Sequence, residues 1–206
     1  MRALILLLLV ASLFVSAGNS AVAADVRPDY RVGDRLAQPA PPASSAYKET
    51  SWDDLVPKDW DPMKELRALD FGKLKDSDPR ADRALQKMKE LWDSAPVESS
   101  LRGAHIRIAG FMIPLERKGE QVTEFLLVPY FGACIHVPPP PANQIIHVVA
   151  IKPLKKAQTM DAVWVNGTLD IGHAESPWGA SGYNMKADVI APYTEKPRAE
   201  KGTRKN

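Results

Sequence analysis

Cysteine is nearly missing from this chain: one residue, Cys134, in 206. A lone thiol cannot close a disulfide within the chain, so burial of apolar surface has to hold the fold together. Charge of one sign is missing too. Lys and Arg number 27 and Asp and Glu 25, a formal net charge of +2. That balance gives no electrostatic case for a nucleic-acid partner. Beyond the first residues there is no long apolar run, so nothing later in the chain reads as a membrane span.

What the N-terminus does have is MRALILLLLVASLFVSAGNSAVAAD. One Arg precedes an apolar run from Ala3 to Val15, then small residues. The pattern predicts a secretory signal peptide over residues 1–24, cleaved near Ala23–Asp25, and hence a periplasmic protein. It is not a lipoprotein signal, since the only Cys lies far downstream. Cleavage would remove one basic residue, Arg2, leaving 26 basic and 25 acidic residues. Export makes nucleic acid a still less suitable partner.

Proline, alanine and serine dominate residues 25–46, which read as a disordered linker. Residues 47–98 form an N-terminal arm. Its "SWDDLVPKDW" carries Trp52, Leu55, Val56 and Trp60, expected to pack on the main domain, with Ser51 capping a single turn. A helix is predicted over about 79–94: Asp78 suits the cap and Pro79 the first turn. Ala81, Leu85, Met88 and Trp92 recur at helical spacing and predict a core-facing stripe. The last residues, 194–206, read as a disordered basic tail.

From residue 99 to 193 the period changes to that of strands. "AHIRIAGFMIPL", "VTEFLLVPY", "QIIHVVAI", "DAVWVNGTLDIG" and "GYNMKADVIAPY" give five strands separated by turn-like clusters. Gly110 and Gly167 sit inside strands, where a bend or a close approach is expected. The best match is a small, mainly β, five-stranded OB-like Greek-key barrel with one preceding α-helix; a small β-sandwich is the alternative.

"GACIHVPPPPANQ", residues 132–144, is the stretch with chemistry. Four prolines in a row remove four backbone donors and predict a stiff crossover between the second and third strands, spanning about 12 Å. In an extended segment Cys134 and His136 would share a face. A thiolate and an imidazole suit zinc or copper, and the pair also suits an activated thiol. A metal would need further ligands, and His147 and His173 are the candidates. His147 alternates with Ile145 and Val149, so a core histidine competes with a ligand there. His173 lies in "GHAESPWGASG", read as a loop between strands four and five. Asn143 and Gln144 either bond to the donor-poor loop or reach the same pocket.

The segment GACIHVPPPPANQ, with "RIAGFMIPLE", "FLLVPYFGA", "IIHVVA" and "VWVNGTL … GYNMKADVI" around it, resembles the Domain of unknown function 3299 family of bacterial exported proteins. The resemblance covers residues 99–191, and "SWDDLVP" adds to it. It implies a periplasmic protein with no assigned catalysis, and it raises the expectation of metal handling beside a membrane transporter.

Three functions stay open on the residues. The favoured one is a soluble periplasmic binding or accessory protein. It holds a transition metal through Cys134 and His136, with His147 or His173, and works with a membrane transport system or envelope protein. The second is a thiol-dependent enzyme using Cys134 and His136, which lacks a resolving Cys and a third orienting group. The third is a structural or protein-interaction module with a buried, inert Cys134.

Overall fold

The computed structural model describes residues 29–37, 46–61, 64 and 79–194. The expected signal peptide, most of the 25–46 linker, the Asp78 cap and all but Thr194 of the tail lie outside the described residues.

Strand β1 is the short Lys48–Glu49. Helix α1 spans Pro79–Asp93. The long strands are β2 (Ala104–Lys118), β3 (Gln121–Val128), β4 (Ile146–Lys155), β5 (Ala162–Ser176) and β6 (Gly179–Pro192). They hydrogen-bond in the order β1-β2-β3-β4-β6-β5, and β5 returns to β2. That return closes β2 to β6 into a five-stranded mixed barrel, which sets the sandwich alternative aside. The β4–β6 pair is parallel, while β2–β3, β3–β4, β5–β6 and β2–β5 are antiparallel. The architecture is OB-like.

Closure depends on β2, which serves both halves of the barrel. Ala104 to Phe111 pair with β5, and Phe111 to Lys118 pair with β3. Gly110 stands at the changeover. A Cβ there would lie 2.8 Å from both Leu127 Cγ and the Val128 carbonyl, and 2.9 Å from Trp52 Cζ2. Only glycine lets the strand pass so close to β3 and the arm.

The barrel interior is filled by Ile106, Ile108, Met112, Phe125, Leu127, Ile146, Val148, Val165, Tyr183 and Met185. A second cluster lies on the other face of β2 and β3: Phe111, Ile113, Leu126, Val128, Ile145 and Trp164, with Leu36 and Tyr193. Burial on both faces explains why these strands read as nearly continuous apolar runs.

Residues 29–37 fall inside the stretch expected to be a disordered linker, yet they form a strap over this second cluster. Gly33 N–H donates to the Phe131 carbonyl and Phe131 N–H to the Asp34 carbonyl, both at 2.9 Å. Tyr30 stacks on Phe131 and meets Phe111 edge-on. Composition hid this, because one Tyr and one Leu in a polar stretch give no periodicity.

The arm docks as its tryptophans predict. Trp52 and Leu55 are buried. Trp52 Nε1 donates to the Ala109 carbonyl at 2.7 Å. Ser51 Oγ accepts from Asp54 N–H at 3.3 Å, at the start of a single 3-10 turn.

Helix α1 departs from expectation. No residue of its predicted core stripe enters a core cluster: Ala81, Met88 and Trp92 are half-buried, and Leu85 is 54% exposed. The outer face of β2 and β3 is already covered by the second cluster and its strap, and the helix stripe does not join it. Among the described residues no helix is long and apolar enough to cross a membrane.

Candidate functional site

After β3 the chain runs through Tyr130 and Phe131 into the signature segment. Residues Gly132 to His136 form a turn, not the extended strand expected. Ile135 and His136 N–H both donate to the Gly132 carbonyl, at 3.2 and 2.9 Å. Cys134 adopts φ 64°, left-handed backbone that few non-glycine residues enter. Two-residue alternation, the basis for placing Cys134 and His136 on one face, therefore does not apply. Cys134 is half-buried against the second cluster, whereas His136 is exposed. Burial pushes the Cys134 thiol up from its ordinary value of 9.0 to about 12.

The other two candidate ligands lie elsewhere. His147 is on β4, but Ile146 and Val148 are the residues that face the barrel interior. Alternation then turns His147 outward together with Val149, which is 43% exposed. Its Nε2 lies 3.1 Å from Glu124 Oε2 on β3. It is half-buried beside Glu124 rather than a core histidine. His173 belongs to strand β5 rather than a loop, because β5 and β6 continue as a hairpin to Ser176 and Gly179. It is half-exposed, with Nε2 3.8 Å from Glu175 Oε1. Among the described residues no group of three or more His, Cys, Asp or Glu side chains is placed to hold a metal ion.

The end of the segment has clearer work. Pro138 and Pro139 are exposed and Pro140 is buried. Pro141 has φ −56° and ψ 153°, polyproline backbone. The prolines deliver the chain to a buried 3-10 turn, Ala142–Gln144, just before β4. There the two amides hold the arm. Asn143 Nδ2 donates to the Pro96 carbonyl at 2.8 Å. Gln144 Nε2 donates to the Trp52 carbonyl at 2.6 Å. Tyr183 on β6 completes the clasp: its hydroxyl donates to the Leu55 carbonyl and accepts from Glu98 N–H, each at 2.6 Å. Gly182 beside it makes room, since a Cβ there would lie 2.7 Å from Val97 Cγ1. These side chains hydrogen-bond backbone groups at both ends of the arm, in segments 52–55 and 96–98. Burial raises the Tyr183 phenol from 10.0 to about 12.

Sequence reading left Asn143 and Gln144 undecided and saw Tyr183 only as a strand residue. The available signal was two adjacent amides between a donor-free proline run and the apolar start of a strand, where burial without partners would be costly.

The family comparison agrees with this geometry. A family model, "Protein of unknown function (DUF3299)", matches residues 52–192, from the buried arm tryptophan to the end of β6. The chain belongs to this family. The crystal structure of a DUF3299 family protein from Pseudomonas aeruginosa PAO1 is similar, at 33% identity and a TM-score of 0.58. The match covers 74% of this chain and 99% of that one. No curated protein matches. The matched span includes both partners of each arm-holding bond, Trp52 with Gln144, Pro96 with Asn143, and Leu55 and Glu98 with Tyr183. It leaves out the 29–37 strap.

Proposed function

We propose that this DUF3299 protein is an exported, non-catalytic binding protein of the cell envelope, and that its GACIHVPPPPANQ segment is a structural clasp. The observation that carries the reading is the division of labour within the segment. Its buried amides are spent on the Trp52 and Pro96 carbonyls, while its thiol is half-buried with a strongly raised pKa. A nucleophilic cysteine needs the opposite, a thiolate favoured by neighbouring positive charge. Export is supported by the N-terminal apolar run and its small-residue cleavage pattern. A membrane transporter or other envelope protein remains the fitting kind of partner for such an accessory role.

A zinc or copper role for Cys134 and His136 makes a different demand. The ion would have to repay the cost of ionising a buried thiol and draw further ligands from outside the turn. Metal analysis of the mature protein separates the two. The clasp reading expects wild type and a Cys134→Ala, His136→Ala variant to take up zinc and copper(I) equally weakly. Stoichiometric metal in wild type, lost in the variant, would sink it in favour of a metal carrier.

A further inference from the structure

The barrel has an open mouth at the β4–β5 turn, lined by residues that do not take part in the clasp. A cavity of about 690 Å³ opens there. Sites for small organic ligands occupy roughly 300–1,000 Å³. Its walls are apolar: Met112 of β2, Leu154 of β4, Met160 of the turn, Val163 of β5, Ile190 of β6, and Phe131. Exposed Lys155 and Lys156 stand among the lining residues, as do Asp29 and Asp161. Asp161 is already engaged, accepting from Gln158 N–H at 2.8 Å.

Two further observations mark this place. Tyr30 is one of the lining residues, and its hydroxyl is buried behind that lining with no hydrogen-bond partner among the described residues. A buried donor without a partner destabilises a fold, and phenylalanine would keep both ring contacts of Tyr30 without that cost. The turn is also strained. Lys156 and Met160 both have positive φ, 58° and 65°, in side-chain-bearing residues. The strain is held in place from β2: Met112 N–H donates to the Asp161 carbonyl and Met160 N–H to the Met112 carbonyl, at 3.0 and 2.8 Å. Backbone strain over-determined by its surroundings is characteristic of ligand clamps.

We propose that this mouth binds an apolar carboxylate of the fatty-acid type, its chain against Leu154, Met160 and Ile190 and its carboxylate accepting from the Tyr30 hydroxyl. Lys155 and Lys156 supply attraction for the negative head, opposed by Asp29 and Asp161 on the same lining, and Met160 supplies a wall that adapts to an irregular chain. The inference rests on the reading that the protein works by binding. It names what is bound.

The probe is dodecanoate, titrated calorimetrically into the delipidated mature protein below its micelle concentration, with dodecanol as the uncharged arm. The expected result is saturable one-to-one binding of dodecanoate and markedly weaker binding of dodecanol. Tyr30→Phe is expected to weaken dodecanoate about ten- to a hundredfold, the usual effect of one hydrogen bond to a charged group, while leaving the melting temperature of the free protein unchanged or higher. Ala191→Phe fills the cavity from β6, and Thr159→Trp blocks it from the exposed rim without touching the core. Both are expected to abolish binding. The inference is overturned if dodecanoate does not saturate, if dodecanol binds as tightly, or if Thr159→Trp binds like wild type. A drop in melting temperature for Tyr30→Phe would show the hydroxyl to be structural and overturn its assignment. Failure here leaves the metal and thiol assays untouched, so it is distinguishable from failure of the binding reading itself.

Discussion

Cys134 offers the sharpest quantitative test, because burial and chemistry point to a definite reaction rate. With its thiol at about 12, the thiolate at pH 7.5 is about 3 in 100,000 molecules, against about 3 in 100 for a cysteine at its ordinary value of 9.0. Population alone would slow thiol–disulfide exchange about 1,000-fold. A more basic thiolate is a better nucleophile, and a Brønsted slope near 0.45 over about 3 units returns a factor of about 20. The net expectation is a slowing of about 50-fold, before any steric shielding by the strap and the second cluster. The assay is release of thionitrobenzoate from 5,5′-dithiobis(2-nitrobenzoate), with the same chain in guanidinium as the reference. Between pH 7 and 9.5 the logarithm of the native rate should rise by one per pH unit with no plateau. A native rate equal to the unfolded reference, or a plateau at or below pH 8.5, would refute the reasoning and restore the activated-thiol reading.

Further outcomes follow from the same contacts. Tyr183→Phe leaves the Leu55 carbonyl and Glu98 N–H without their 2.6 Å partner; a loss of about 1–3 kcal/mol in denaturant melts is expected, with earlier proteolysis of the arm. Gly110→Ala forces a Cβ to within 2.8 Å of the Val128 carbonyl, so a destabilisation of about 1–3 kcal/mol by overpacking is expected in the same melts. Stability should also fall in alkali. Both Cys134 and Tyr183 have folded values above their ordinary ones, so the unfolded chain releases these protons first. Their contribution is intact below about pH 9 and is lost from there toward about 12, where both folded groups titrate. The slope from Cys134 is about 1.4 kcal/mol per pH unit. Cys134→Ala should remove the part that begins near pH 9 and keep the part that begins near pH 10, as read from melting temperature against pH.

The barrel was legible because its strands carry a period of two and place glycine where strands cross closely. "IRIAGFMIP" told both that β2 is a strand and that Gly110 is special, and the close approach to Leu127 and Trp52 supplies the reason. Trp52 was legible as an anchor because a large indole is rarely left in water. The site was harder to read. His147 follows Ile145 and Ile146, which are buried in different clusters, so the pattern could not say which phase faces inward. Cys134 and His136 looked like an extended pair because nothing in their identities announces a positive φ at a cysteine. The stripe on α1 has the spacing of a core helix, yet spacing reports only that one face is apolar, not that a core lies beneath it. Residues 29–37 were read from composition, which averages away the single Tyr30 and Leu36 that fasten the strap.

The central claim is that the signature segment acts through its amides and not through its thiol and imidazole. Equilibrium denaturation of two double variants tests it most directly. Asn143→Ala with Gln144→Ala removes the bonds to the Pro96 and Trp52 carbonyls and should cost about 2–4 kcal/mol. Cys134→Ala with His136→Ala should stay within about 1 kcal/mol of wild type. The reverse order, with the thiol–imidazole pair carrying the larger loss, would contradict the account.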